Sequence, residues 1–175
     1  LGTVVLAGVV GGLWRQAAAQ ADRHVALALQ HLRSGRYQDA AKEVQPVCQA
    51  WVSRDACFAL AKVSLGVKLE GQEGLEQFGA QVDALKAQRP NDPDLLFFAA
   101  QLALRENRPD RHPQAHAEIA RAIELTGGKF PEAHFYLAVT LEKAGRSGEA
   151  RAHWRAYQDL APDGEWADLA REFSE

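Results

Sequence analysis

Six histidines and two cysteines are the side chains with the widest chemical reach in this 175-residue sequence. His112 and His116 stand four residues apart, a spacing that sets two imidazoles on one helix face and serves in helical zinc sites. Pro113 puts His112 at the entrance of that helix, however, and no glutamate completes an HExxH pattern. The two read as a solvated surface pair, with a metal-dependent protein using His112 and His116 as the alternative. His24, His31, His134 and His153 read as half-buried packing residues. Thr126-Gly127-Gly128-Lys129 has the glycines of a phosphate loop but neither the preceding strand nor the GK[ST] ending, so it reads as a linker. No serine sits in a G-x-S-x-G turn, and the acidic residues are spread along helix faces, where they solubilise. Spacing gathers no nucleophile, base and oxyanion donor. The expectation is a protein without catalysis, cofactor, resident metal or small-molecule substrate.

The cysteines lack CxxC and CxxCH patterns, which speaks against a redox dithiol or an attached haem. Cys48 and Cys57 instead flank the short connection QAWVSRDA between two helical runs. If the domain faces an oxidising space, a disulfide is expected here, worth on the order of 2 to 3 kcal/mol for so small a loop. Otherwise the two are buried free thiols acting as small hydrophobes.

The elements that would position these residues are helical. The apolar fraction is 47%, dominated by Ala and Leu, with few β-branched runs beyond the first ten residues, which points to an all-α chain. Residues 1–90 carry ten Lys/Arg against eight Asp/Glu, and residues 91–175 carry ten against fifteen. Neither half has the basic field that nucleic acid requires. The plainest pattern is PEAHFYLAVTLEKAGRSGEARAHWRAYQDLAP, residues 131–162. Phe135, Leu137, Ala138 and Leu141 recur on one helix face, and Ala150, Trp154 and Tyr157 on another. Gly145 supplies the backbone freedom that ends the first helix, and Pro162 stops the second. The product is an αα-hairpin whose apolar sides need neighbours.

With Pro131 as the first position, Leu137, Ala138, Leu141, Gly145, Ala150, Trp154 and Pro162 fall at the large, small, large, turn-glycine, small, aromatic and proline positions of a tetratricopeptide repeat, a unit of about 34 residues. The segment resembles that family, with two departures: His134 replaces the usual tryptophan, and Tyr157 takes the place of a small residue. The resemblance implies an all-α, right-handed solenoid of about four helix hairpins that binds other proteins, and it brings no catalytic residues. The hairpins are expected at about 22–50, 55–90, 93–127 and 131–162 of a repeat domain 16–175, closed by a cap over 164–175 and preceded by an apolar helix over 1–15. Leu27, Ala28, Gly35, Ala40 and Val44 keep the register in the first hairpin, where Pro46 should bend the second helix. Leu65, Gly66, Leu69, Val82, Leu85 and Pro90 keep it in the second, but Phe78 stands where a small residue belongs. Asn91-Asp92-Pro93 reads as the cap and first-turn proline of the third pair, which contains the insertion RPDRHP and ends at Gly127-Gly128. Trp166, Leu169 and Phe173 share one side of the terminal segment, as a capping helix requires.

The first 14 residues, LGTVVLAGVVGGLW, carry no charge before Arg15. They are fewer than the roughly 20 that span a bilayer. The segment reads as a membrane-anchor helix, with a signal remnant cleaved after Ala19 or Ala21, or a soluble core segment, as alternatives. Trp14 suits a membrane interface, and Gly8 and Gly12 form a GxxxG pair of the kind that packs transmembrane helices. The expected setting is the bacterial inner membrane with the domain in the periplasm, or the soluble periplasm after signal cleavage.

The resemblance also implies a groove lined by the first helix of each pair. Its contact positions map to Val25, Leu29, Leu32 and Arg33; to Val63 and Val67; to Phe97, Gln101, Leu104 and Arg105; and to Phe135, Val139, Glu142 and Lys143. Members that clamp a terminal carboxylate use Lys and Asn at several of these places, where Val, Leu and Phe stand here. Such a groove suits an amphipathic helix or an extended apolar peptide, or is filled in part by the chain's own terminal helix around Trp166 and Phe173. A Glu at Phe97 or Phe135 is expected to abolish partner capture and leave the fold intact. The expected function is a non-catalytic scaffold or adaptor, an assembly factor for a bacterial envelope complex such as the cytochrome c maturation, pilus or outer-membrane machinery. A permanent structural subunit of a membrane complex is the alternative. The expected partners are other proteins through the groove and a membrane through the N-terminal segment.

Overall fold

Helix follows helix in the computed structural model, which describes residues 2–50, 53–71, 75–105 and 109–174, with side chains from Arg15 onward other than those at 70, 71, 75, 76 and 109. In chain order the elements are α1 (Gly2–Arg33), α2 (Tyr37–Gln49), α3 (Arg54–Gly71), α4 (Leu75–Gln88), α5 (Pro93–Arg105), α6 (His112–Leu125), α7 (Pro131–Lys143), α8 (Ser147–Leu160) and α9 (Ala167–Ser174), with a 3-10 turn at Pro109–Arg111. All regular structure among the described residues is helical, as the composition implies. The chain forms two compact units, residues 1–32 with 36–67, and residues 33–35 with 68–175.

In the N-terminal unit small side chains let the helices approach. Ala21, Ala28, Ala40, Ala56 and Ala59 are buried together with Leu32, Val44 and Val63. Gly66 of α3 lies so close to the ring of Tyr37 that a Cβ there would overlap it. Leu27, expected in the apolar register, is instead 39% exposed. Pro46 stays inside α2, which continues to Gln49. A disulfide joins Cys48 of α2 to Cys57 of α3, with the Cα atoms 4.7 Å apart. Of the two states open to the cysteines, the bridged one is the state in the structure; Trp51 and Val52 of the connection lie outside the described residues.

In the C-terminal unit α4 to α9 stack in chain order, each helix against the next, in the manner of a solenoid. Asp92 caps α5: its Oδ1 accepts hydrogen bonds from the backbone N–H groups of Asp94 and Leu95 at 3.1 and 3.2 Å, satisfying donors that a helix start leaves free. Gly145 ends α7 at φ 73°, a conformation that costs a residue with a Cβ. Ala115, Ile119, Ala122, Ala133, Ala138 and Ala150 bring the backbones together, and Phe130 and Trp154 fill the space between them. Phe78 is buried despite its small-residue position, and a Cβ on the adjacent Gly79 would stand 3.0 Å from Leu102. The Phe78 ring meets Phe98 edge-on with centroids 6.1 Å apart. Helix α9 closes the stack, burying Ala167 and Ala170.

The N-terminal segment does not match its expectation. No helix among the described residues is long and apolar enough to cross a membrane. Helix α1 begins with the uncharged run that precedes Arg15. The helix then continues unbroken to Arg33 as the first repeat helix. The expected membrane partner through residues 1–15, and the expected inner-membrane anchoring with a periplasmic domain, are corrected accordingly. The packing expected of Gly8, Gly12 and Trp14 lies outside the described side chains.

Candidate protein-docking face

The groove positions fall on α1, α3, α5 and α7, and the structure sorts them into three kinds. One kind is core. Leu32, Val63, Phe97 and Gln101 are each 1% exposed and Phe135 is 9% exposed. The ring of Phe97 lies 4.7 Å from Phe130, 5.6 Å from Tyr136 and 6.1 Å from Phe98. A Glu at Phe97 would place a carboxylate among these rings, so a substitution that spares the fold is not to be had there.

The second kind is engaged within the protein. Arg33 Nε donates to Asp94 Oδ1 at 2.7 Å and Nη2 to Oδ2 at 3.4 Å. The Asp94 side chain is 0% exposed, and the guanidinium lies 5.9 Å from the centroid of the Phe130 ring. Arg105 Nη1 donates to the carbonyl oxygen of Leu69 at 2.9 Å, and its side chain also bonds the Tyr136 hydroxyl. Burial, with Glu132 adding to it, pushes the Tyr136 phenol above its ordinary pKa against the opposing pull of Arg105. Both arginines are therefore engaged within the C-terminal unit, to which residues 33–35 and 68–175 belong.

The third kind is accessible. Leu104, Val139 and Glu142 are half-buried and Lys143 is exposed in the C-terminal unit. In the N-terminal unit Val25, Leu29 and Val67 are half-buried.

Beside Phe135 the chain supplies its own occupant. The indole of Trp166 stacks on the Phe135 ring, with centroids 4.9 Å apart and planes 19° from parallel. Its backbone N–H donates to the Tyr157 hydroxyl at 3.3 Å. Gly164 permits this approach, because a Cβ there would stand 2.6 Å from that hydroxyl. Farther along, Phe173 lies 5.6 Å from Trp154. Tyr157, out of pattern in the repeat, thus holds the segment that covers Phe135. Its misfit with the pattern, and the side shared by Trp166 and Phe173 in the terminal segment, were the signs of this in the sequence.

His134 and His153, unconnected by spacing, meet with their Nδ1 atoms 3.0 Å apart. His112 and His116 gather no further ligands: among the described residues no group of three or more His, Cys, Asp and Glu is placed to hold a metal ion. Burial, followed by His112 and then Arg146, lowers the pKa of His116, and a nearby cation is the opposite of what a metal ligand needs.

No family model matches the sequence, and a search of curated proteins gives no match either. Solved structures of MamA align with most of the chain. The MamA structure from AMB-1 is 16% identical, covering 89% of this chain and 87% of that one at a TM-score of 0.49. The MamA structure from MSR-1 is also 16% identical, covering 91% and 84% at a TM-score of 0.48. Likeness at that level carries no functional conclusion.

Proposed function

We propose that this chain is a non-catalytic helical-repeat scaffold, an adaptor that docks another protein on the α5 and α7 side of its C-terminal unit and so helps to assemble a larger complex. The observation that carries this reading is the seat of Trp166 on Phe135, where an aromatic of the chain itself occupies a position that lines the groove in the tetratricopeptide resemblance. Leu104 and Val139 extend the apolar contact, and Glu142 and Lys143 flank it with both charges. Such a surface fits an amphipathic or extended apolar segment anchored by one or two large side chains. The Leu104→Glu/Val139→Glu double variant tests it, since neither side chain is in the core. Loss of partner capture with an unchanged far-ultraviolet circular dichroism spectrum is expected; undiminished capture would move the docking site elsewhere.

A further inference from the structure

Across the last hairpin two imidazoles meet in an arrangement that tolerates one added proton but not two. His134 of α7 is 6% exposed, and its Nε2 lies 3.1 Å from the carbonyl oxygen of Gly128. A carbonyl only accepts, so Nε2 carries the hydrogen, and neutral His134 has a bare lone pair at Nδ1. That lone pair faces Nδ1 of His153 on α8 at 3.0 Å. His153 must then donate from Nδ1, which leaves its Nε2 as the place for a further proton. One proton added there keeps both hydrogen bonds. A second has only Nδ1 of His134, where N–H would point at N–H between two like charges.

The surroundings offer little compensation. From the turn before α7 the group facing His134 is the Gly128 carbonyl. From α8 Glu149 stands one turn before His153, but its carboxylate is held by both Arg146 Nε and Nη2 at 2.7 Å. Burial is the first cause that holds each imidazole below its ordinary pKa; His134 lowers His153 further and Glu149 opposes this. Folded values below the unfolded one, about 6.5, mean that the unfolded chain binds more protons in acid. The stability from this pair is therefore present above the unfolded value and lost as pH falls through it toward the folded values.

We propose that His134 and His153 form an acid-sensitive latch on the α7 and α8 hairpin, which takes up protons by parting and so loosens the helices that carry Phe135 and the seat of Trp166. The test is His153→Asn in the full chain. The Asn Nδ2 replaces the Nδ1–H donor, cannot become charged, and can turn its Oδ1 toward a protonated His134. Thermal midpoints are followed by tryptophan fluorescence at pH 7.5 and 5.0. The wild-type midpoint is expected to fall by about 2–4 °C more than that of the variant, while the other histidines act alike in both proteins. Equal falls would overturn the proposal. Nitrogen NMR of the wild-type rings at pH 7.5, followed down to pH 5.0, decides the matter even if the variant does not fold. His134 hydrogenated at Nε2 and His153 at Nδ1 are expected; the reverse tautomers, or two independent titrations near the ordinary histidine value, would overturn it.

Discussion

Replacing Trp166 with Ala probes the covered docking face directly. Trp166 is half-buried, so truncation removes about 100 Å² of apolar contact, or about 2.5 kcal/mol at about 25 cal/mol per Å². The stack on Phe135 adds about 0.5–1.5 kcal/mol beyond area. A total of about 3–4 kcal/mol favours opening of the terminal segment by a factor of roughly 150–900. The backbone hydrogen bond to Tyr157 and the burial of Ala167 and Ala170 remain, so α9 should loosen rather than dissolve. Amide hydrogen exchange across Ala167–Ser174 reads this opening, and rates in the variant should rise by that factor while those of α5 stay as they were. If Trp166 competes with a partner for the Phe135 face, affinity for that partner should rise in the same variant. Unchanged exchange in α9 would refute the stacked seat as the anchor of the cap.

Three further outcomes follow from particular contacts. Alkylation under non-reducing conditions should label neither Cys48 nor Cys57, and reduction should cost about 2–3 kcal/mol in urea unfolding for a bridge across nine positions; two freely labelled thiols would contradict this. Asp94→Asn keeps the shape but removes the charge that Arg33 meets at 2.7 Å, so a loss of about 1.5–3 kcal/mol is expected in the same assay, and a change within error would show the pair to be incidental. Ala at Gly145, where the added Cβ meets nothing, should cost about 1–2 kcal/mol from its left-handed backbone alone. Ala at Gly35, also at positive φ, should cost about as much, since the Glu132 carboxylate that its Cβ would press on is the far end of a flexible side chain, and a clearly larger cost would show that Glu132 is held in place.

The hairpins were legible because each repeats a short-range pattern. Residues 131–162 could be read nearly residue for residue: Leu137, Ala138, Leu141, Ala150 and Trp154 are all buried, and Gly145 adopts the positive φ that ends α7. The N-cap at Asp92 and the approach of Cys48 to Cys57 were legible for the same local reason. The state of the groove side chains was not. Arg33 finds Asp94 across 61 positions and Arg105 finds Leu69 across 36, and no local period records such pairings. Phe97 has the register of a groove contact, but Phe130, from the turn before α7, closes over it. The first 14 residues mislead for a different reason: an apolar run says only what it avoids, and no helix among the described residues is long and apolar enough to cross a membrane.

The most direct measurement places a photo-crosslinking residue at Val139, on the proposed face, and separately at Arg151, exposed on α8, in the full chain in its native cells. The account predicts one dominant protein adduct at Val139, lost in the Leu104→Glu background, strengthened by Trp166→Ala, and absent at Arg151. An adduct to the same protein that forms at Arg151 and not at Val139 would contradict it.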